Sequence, residues 1–183
     1  ADRLRIARRQ SKLADEFPQS TSAPYAFFQV AQLEERRGPE THHKEANSRL
    51  EKLIQTYPES QFVFAARFEQ GEILRKLNDF PPAQRAYEEI INKFPQHPGI
   101  EEVSLALAHC HAEQAAGDES HADRAKEGYN RLLALPTASP DLRVEAGFNL
   151  GNILLTHPDT RRVEDVWWRD VVHQFLLDKP EVA

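Results

Sequence analysis

Apolar residues in this chain return at helical rather than strand spacing, and the returns come in groups. Phe68, Gly71 and Leu74 lie at i, i+3 and i+6, and Ala83, Tyr87 and Ile90 at i, i+4 and i+7. Each set therefore marks one face of a helix. Asn78-Asp79-Phe80 predicts the turn between them, because Asn and Asp suit left-handed or capping backbone. The second spacing recurs as Ala46, Leu50 and Leu53, and again as Ala125, Tyr129 and Leu132. Phe17-Pro18, Tyr57-Pro58, Phe94-Pro95 and Leu135-Pro136 punctuate the pattern at intervals of about 40 residues, the signature of stacked repeats. A looser Leu177-Asp178-Lys179-Pro180 follows. Proline cannot continue a helix and restrains the residue before it, so each pair closes a helical stretch. The pattern predicts an all-α chain of stacked helix pairs, with nine helices and no strands.

Small residues at Gly71 and Ala83 let two helix axes approach within about 8 Å while large neighbours fill the flanking holes. Earlier in the chain Ala31 takes the glycine position, followed by a longer loop at Arg37-Gly38-Pro39-Glu40 and then Ala46, Leu50, Leu53 and Pro58. Later, Leu107-Ala108 and His111 precede an extended turn at Gly117-Asp118. Leu150-Gly151 and Leu154 open a last unit, whose second helix is expected through Val163 and Trp167, with Asp170 off the pattern. Trp168 then points about 100° from Trp167 and is a candidate docking or packing residue. Leu4, Ala7, Leu13 and Phe17 read as a second helix, Asp2 to Glu16, whose first helix is missing. The predicted units are 1–18, 19–58, 59–97, 98–138 and 139–183, the last including a tail. A chain that opens directly on a second helix is expected to be processed or cut from something longer.

The unit from Phe64 to His97 resembles the tetratricopeptide repeat. Gly71, Ala83, Tyr87 and Pro95 occupy the family's small, small, aromatic and proline positions without a gap. Asn78 stands where glycine is usual and Arg67 where tryptophan is usual. The other units are similar in looser form, so the resemblance covers nearly the whole chain. It implies a right-handed α-solenoid of antiparallel helix pairs, first helices lining a concave face and second helices covering a convex one. The aromatic-proline endings and long units look most like bacterial cell-envelope members, such as the outer-membrane assembly lipoproteins and the Tol-Pal-associated coordinator. That likeness implies a periplasmic or envelope setting rather than a cytoplasmic one.

The resemblance also implies ligand contact from particular first-helix positions. They fall at Phe68, Glu72, Arg75 and Lys76, then at Leu105, His109 and Glu113, then at Phe148, Asn152 and Leu155. Such a lining of apolar anchors and charges of both signs suits an extended or helical peptide. It lacks the doubled lysine-arginine clamp expected for a C-terminal carboxylate. Asn152 can both donate to and accept from a peptide backbone. Phe68 and Phe148 could equally pack between adjacent first helices. The function implied is a non-catalytic scaffold that binds a peptide or protein partner in the groove. The alternative is a spacer or assembly arm of a larger bacterial protein, with no groove ligand. In that case the apolar face of Leu4, Ala7, Leu13 and Phe17 would stand uncapped and self-associate.

Composition narrows the picture further. The net charge of -6 disfavours nucleic acid as a partner, since phosphates call for a basic face. The exception is Arg3, Arg5, Arg8, Arg9 and Lys12 on the first helix, read as a solvated face. No apolar run approaches the ~18 residues that span a bilayer. Cys110 is the single cysteine, which excludes an intrachain disulfide. His109-Cys110-His111 has metal-binding residue types, but side chains two apart on a helix point about 200° from each other, so the histidines cannot share an ion. His42-His43 is expected to be solvent-exposed. Glu34-Glu35, Glu88-Glu89 and Glu101-Glu102 are expected on solvated faces, since acid–base work needs a pocket that perturbs them. No cofactor or metal is expected, and no nucleophile elbow or phosphate loop points to an enzyme.

Overall fold

A computed structural model describes residues 2–37 and 40–156. They form eight helices: α1 (Asp2–Glu16), α2 (Ala23–Glu35), α3 (Glu40–Thr56), α4 (Val63–Lys76), α5 (Phe80–Lys93), α6 (Ile100–Ala112), α7 (Glu119–Ala134) and α8 (Pro140–Thr156). No strand occurs among the described residues. The expected ninth helix, with Val163, Trp167 and Trp168, lies outside them, as do Gly38 and Pro39 of the expected loop. No described helix is long and apolar enough to cross a membrane.

The proline pairs close helices as the chain pattern predicts. The residue before each proline donates a final backbone bond: Phe17 to Leu13, Tyr57 to Leu53 and Phe94 to Ile90, all at 2.8 Å, and Leu135 to Leu132 at 3.2 Å. The proline then ends the ladder, having no N–H and a ring that excludes helical geometry before it. The same two bonds build three of the following loops. Ser20, Ser60 and His97 donate to Phe17, Tyr57 and Phe94, and Ala23, Val63 and Ile100 donate to Ser20, Ser60 and His97, each at 3.0 Å. One loop conformation is thus used repeatedly to turn from one helix pair to the next. Asn78, between α4 and α5, has a φ of 57°, the left-handed conformation expected of the turn. Asp118 caps α7, its side chain accepting from the Ser120 N–H at 2.8 Å.

The chain divides into two compact units, residues 1–103 and 104–183. In the first, α1 packs on α2, α2 on α3, α3 on α4, and α4 on α5. Its core holds Ala46, Leu50 and Leu53 from α3 with Phe27 and Ala31 from α2 and Ala66 and Ile73 from α4. Gly71 meets the ring of Tyr87, so α4 and α5 touch through a residue with no side chain. In the second unit, Leu105 and Ala108 of α6, Ala125, Tyr129 and Leu132 of α7, and Leu150 and Leu154 of α8 share one core. Gly128 opposes Ala108 there, again a small-on-small contact between paired helices.

Polar groups inside the first unit depart from expectation. Glu34 is fully buried, not solvated. It lies in phase with Phe27, Val30 and Ala31 on the inward stripe of α2. Its carboxylate is held by the Arg8 guanidinium of α1 and by His42, whose Nδ1 is 2.9 Å away. His42 is therefore largely covered rather than exposed, and Arg8 is no free surface cation. A buried carboxylate survives only with such partners. Glu35, too, is mostly covered, whereas Glu88, Glu89 and Glu102 are exposed as expected. Arg67, at the position where tryptophan was usual, replaces an aromatic contact by a polar one. It donates to Gln70 at 2.8 Å and reaches Glu89 at 2.9 Å, while buried Gln70 donates to Glu51 of α3 at 2.7 Å.

Candidate functional site

The first-helix positions fall into two groups, one in each compact unit. In the first unit they sit where α4 approaches α2. Glu72 accepts from the Tyr87 hydroxyl at 2.6 Å and from Arg75 at 2.9 Å. Lys76, one turn on from Glu72, reaches across to Glu35 of α2. Phe68 lies half-buried with its ring centroid 6.1 Å from that of Tyr87. The structure thus brings Glu72, Arg75 and Lys76 together as a charged lattice tied to Glu35, with Phe68 at its edge.

Burial and charge act in opposite directions within this lattice. Burial alone would raise the Glu72 carboxyl, but the hydrogen bonds from Arg75 and Tyr87 and the charges of Arg75 and Lys76 hold it below its ordinary value. Glu69, on the same helix, is raised by burial and then by the Glu35 carboxylate beside it. Tyr87 is pushed up by burial and by its bond to Glu72, so it serves as a donor throughout the accessible pH range. The chemistry on offer is hydrogen bonding and charge pairing. Among the described residues no group of three or more His, Cys, Asp or Glu could hold a metal ion.

In the second unit the positions divide by burial. Leu105 is only 5% exposed and belongs to the core with Ala108, Tyr129 and Leu150. His109 is part-buried between α6 and α8, with Nε2 3.3 Å from the Asn149 amide and 3.7 Å from Glu145. Glu113 is exposed at the end of α6. On α8, Phe148 is 65% exposed and Leu155 is 61% exposed, with Val144 at 59% and exposed Asn152 on the same face. The two phenylalanines differ: Phe148 stands open, whereas Phe68 is half-buried and packs on Tyr87.

His109 and His111 point to different neighbours, as their spacing requires. His111 is buried, its Nδ1 2.9 Å from Nδ1 of His121 on α7. Burial, followed by the charges of His121 and Arg124, pushes its pKa down to about 4. Cys110 is buried.

Four neighbouring residues were not among the expected positions. Glu35, Glu69, Glu145 and Asn149 complete the two clusters. Glu35 was within reach of the pattern, because counting from Ala31 as from Gly71 lands on Phe28, Gln32, Glu35 and Arg36. Glu145 and Asn149 follow from the α6–α8 contact through His109, which no spacing within either helix reveals.

Comparison with known proteins places this arrangement. Residues 65–97 match the tetratricopeptide repeat. No curated protein matches the sequence. Among solved structures, the chain is similar to the nearly identical TPR-like repeats of a Podosopora anserina protein assigned as a kinesin light chain, with a TM-score of 0.70 and 12% identity over 97% of this chain and 88% of that one. It is also similar to a double mutant of MamA from RS-1, with a TM-score of 0.61 and 14% identity over 98% of this chain and 99% of that one. At such identities the likeness is one of fold.

Proposed function

We propose that this chain, whose residues 65–97 match the tetratricopeptide repeat and whose fold is similar to TPR-like repeats, is a non-catalytic scaffold whose first helices receive a peptide or protein partner. Proteins built of such repeats bind other proteins, because each helix pair packs only on its neighbours and leaves a surface over. The observation that carries the proposal is the outer face of α8. Val144, Phe148 and Leu155 stand open with Asn152 among them. Large apolar side chains clustered on one face are what an interface centre uses, and a neighbouring amide fixes a partner's backbone. Within the second unit His109 and Glu113 complete the proposed lining, while Leu105 supports it from the core; Phe68, Glu72, Arg75 and Lys76 are a separate proposed contact set within the first unit.

The test is a photo-crosslinking residue at position 152, followed by capture from the native host in the wild-type background and in a Phe148→Ala, Leu155→Ala background. Both replaced side chains are exposed, so the helical signal should be unchanged. A discrete crosslinked band that the double replacement abolishes supports the face. Equal crosslinking in both backgrounds sinks it.

A second reading has its own observation. Leu13 of α1 and Phe17 just after it are exposed beside Tyr25 and line an open apolar groove of about 340 Å³ with Ala14, Ala23 and Ala26. This favours an assembly arm that pairs through α1. Leu13→Glu, Phe17→Glu would then convert a concentration-dependent oligomer into a monomer by light scattering. A wild-type chain that stays monomeric at high concentration rules that reading out.

A further inference from the structure

We propose that the groove between α1 and the end of α2 binds an acidic polypeptide segment, at a site separate from the first-helix faces. The groove holds about 820 Å³, and among the described residues every polar side chain lining it is a cation: Arg3, Arg5, Arg8, Arg9, Lys12 and Arg37. In a protein of net charge -6, six of the 23 arginines and lysines converge on this one recess. Like charges at i+3 and i+4, such as Lys12 with Arg9 and Arg8, destabilise a helix. Two acids close to this face are already committed. Glu34 is wholly buried and already held by Arg8 and His42. Asp15, further along α1, is engaged by Lys52. Arg3, Arg9 and Lys12 are exposed and make no ion pair among the described residues.

The remaining lining selects the kind of polyanion. Leu4 and Leu33 form the apolar part of the recess, seats that a peptide side chain can fill and a phosphate backbone cannot. Among the described residues no aromatic side chain lines it, so bases find no stacking platform there. The surrounding protein is acidic and repels a long polyanion that extends past the groove, but tolerates a short one. A membrane surface would need the cations on a flat face, whereas Arg37 stands across the recess from the α1 residues. From Arg3 to Lys12 the helix rises about 13 Å, room for a few helical turns of a partner segment. The occupant is therefore a short acidic stretch of another protein, carrying carboxylates for the arginines and an aliphatic residue or two for the leucines.

The experiment measures fluorescence anisotropy of a labelled peptide of about 12 residues, glutamate with leucine at every third or fourth position, at about 150 mM salt. Three probes run beside it: the same peptide with glutamine for glutamate, an oligothymidylate of equal charge, and phosphatidylserine vesicles. The wild-type chain should bind the acidic peptide at least tenfold more tightly than the glutamine peptide or the oligonucleotide. Arg3→Glu, Arg9→Glu, Lys12→Glu together should abolish the binding, with circular dichroism unchanged because all three side chains are exposed. Phe148→Ala, Leu155→Ala should leave it intact, which separates this site from the α8 face. Equal affinity for the glutamine peptide, survival in the triple variant, or tighter binding to the oligonucleotide or the vesicles overturns the proposal.

Discussion

Replacing Gly71 by alanine should destabilise the protein, although alanine is the better helix former. A Cβ at position 71 would lie 2.5 Å from Cε1 of Tyr87, 2.8 Å from Cζ and 2.9 Å from Cδ1. Carbon atoms rest at about 3.5 Å, so the ring would have to retreat by about 1 Å. It has nowhere to go, because Tyr87 is fully buried and its hydroxyl is fixed on Glu72 at 2.6 Å. Overpacking of this size costs about 1–3 kcal/mol. Loosening a hydrogen bond to a charged acceptor adds about 1.5–3 kcal/mol, and the helix propensity of alanine returns about 1 kcal/mol. The net expectation is a loss of about 1.5–5 kcal/mol. Urea unfolding followed by circular dichroism reads this as a lowered midpoint at unchanged slope. In a Tyr87→Phe background the hydrogen-bond part is already gone, so Gly71→Ala should cost less there by about 1.5–3 kcal/mol. If Gly71→Ala is as stable as the wild type, the close approach of α4 and α5 does not hold the repeat together, and the reasoning fails.

Other expectations rest on separate observations. Gly128→Ala places a Cβ 2.8 Å from that of Ala108 and should cost about 1–3 kcal/mol, whereas Gly147→Ala meets, among the described residues, only Leu133 at 3.7 Å and should gain about 0.5–1 kcal/mol. Opposite signs in thermal unfolding are the check, and equal signs refute the distinction. Asn78→Gly should be within about 0.5 kcal/mol of the wild type, while Asn78→Val should lose about 1–2 kcal/mol because φ is positive there. Since His111 titrates near 4 in the fold and near 6.5 unfolded, its contribution is complete above pH 6.5 and lost as pH falls towards 4. His111→Phe should therefore flatten the fall of the urea midpoint over that window; parallel curves for the two proteins would refute the assignment.

The repeat core could be read from the chain because its information is local. Ala46, Leu50 and Leu53, Ala83, Tyr87 and Ile90, and Ala125, Tyr129 and Leu132 are all buried, and in each case a helix period plus a proline was enough to find them. Glu34 shows where that reading stops. Its phase in α2 says buried and its charge says exposed. The conflict is resolved by Arg8, 26 residues earlier, and by His42 at the start of another helix. Neither spacing belongs to any periodic pattern, so the burial of the pair was invisible.

Side-chain exposure on the first helices is hard to read from the chain for a related reason, seen by comparing three residues at related helix positions. Leu105, Phe68 and Phe148 were assigned to a common lining by helix position, yet one is core, one half-buried and one open. Helix register fixes the direction in which a side chain leaves its own axis. Whether it then meets solvent depends on what the next helix places there: Ala108, Tyr129 and Leu150 share a core with Leu105, and the ring of Tyr87 lies against Phe68. Phe148 is left two-thirds exposed. A periodic pattern therefore specifies the layer of a repeat protein that all repeats share, and the surface that distinguishes one such protein from another is written in contacts between helices distant in the chain.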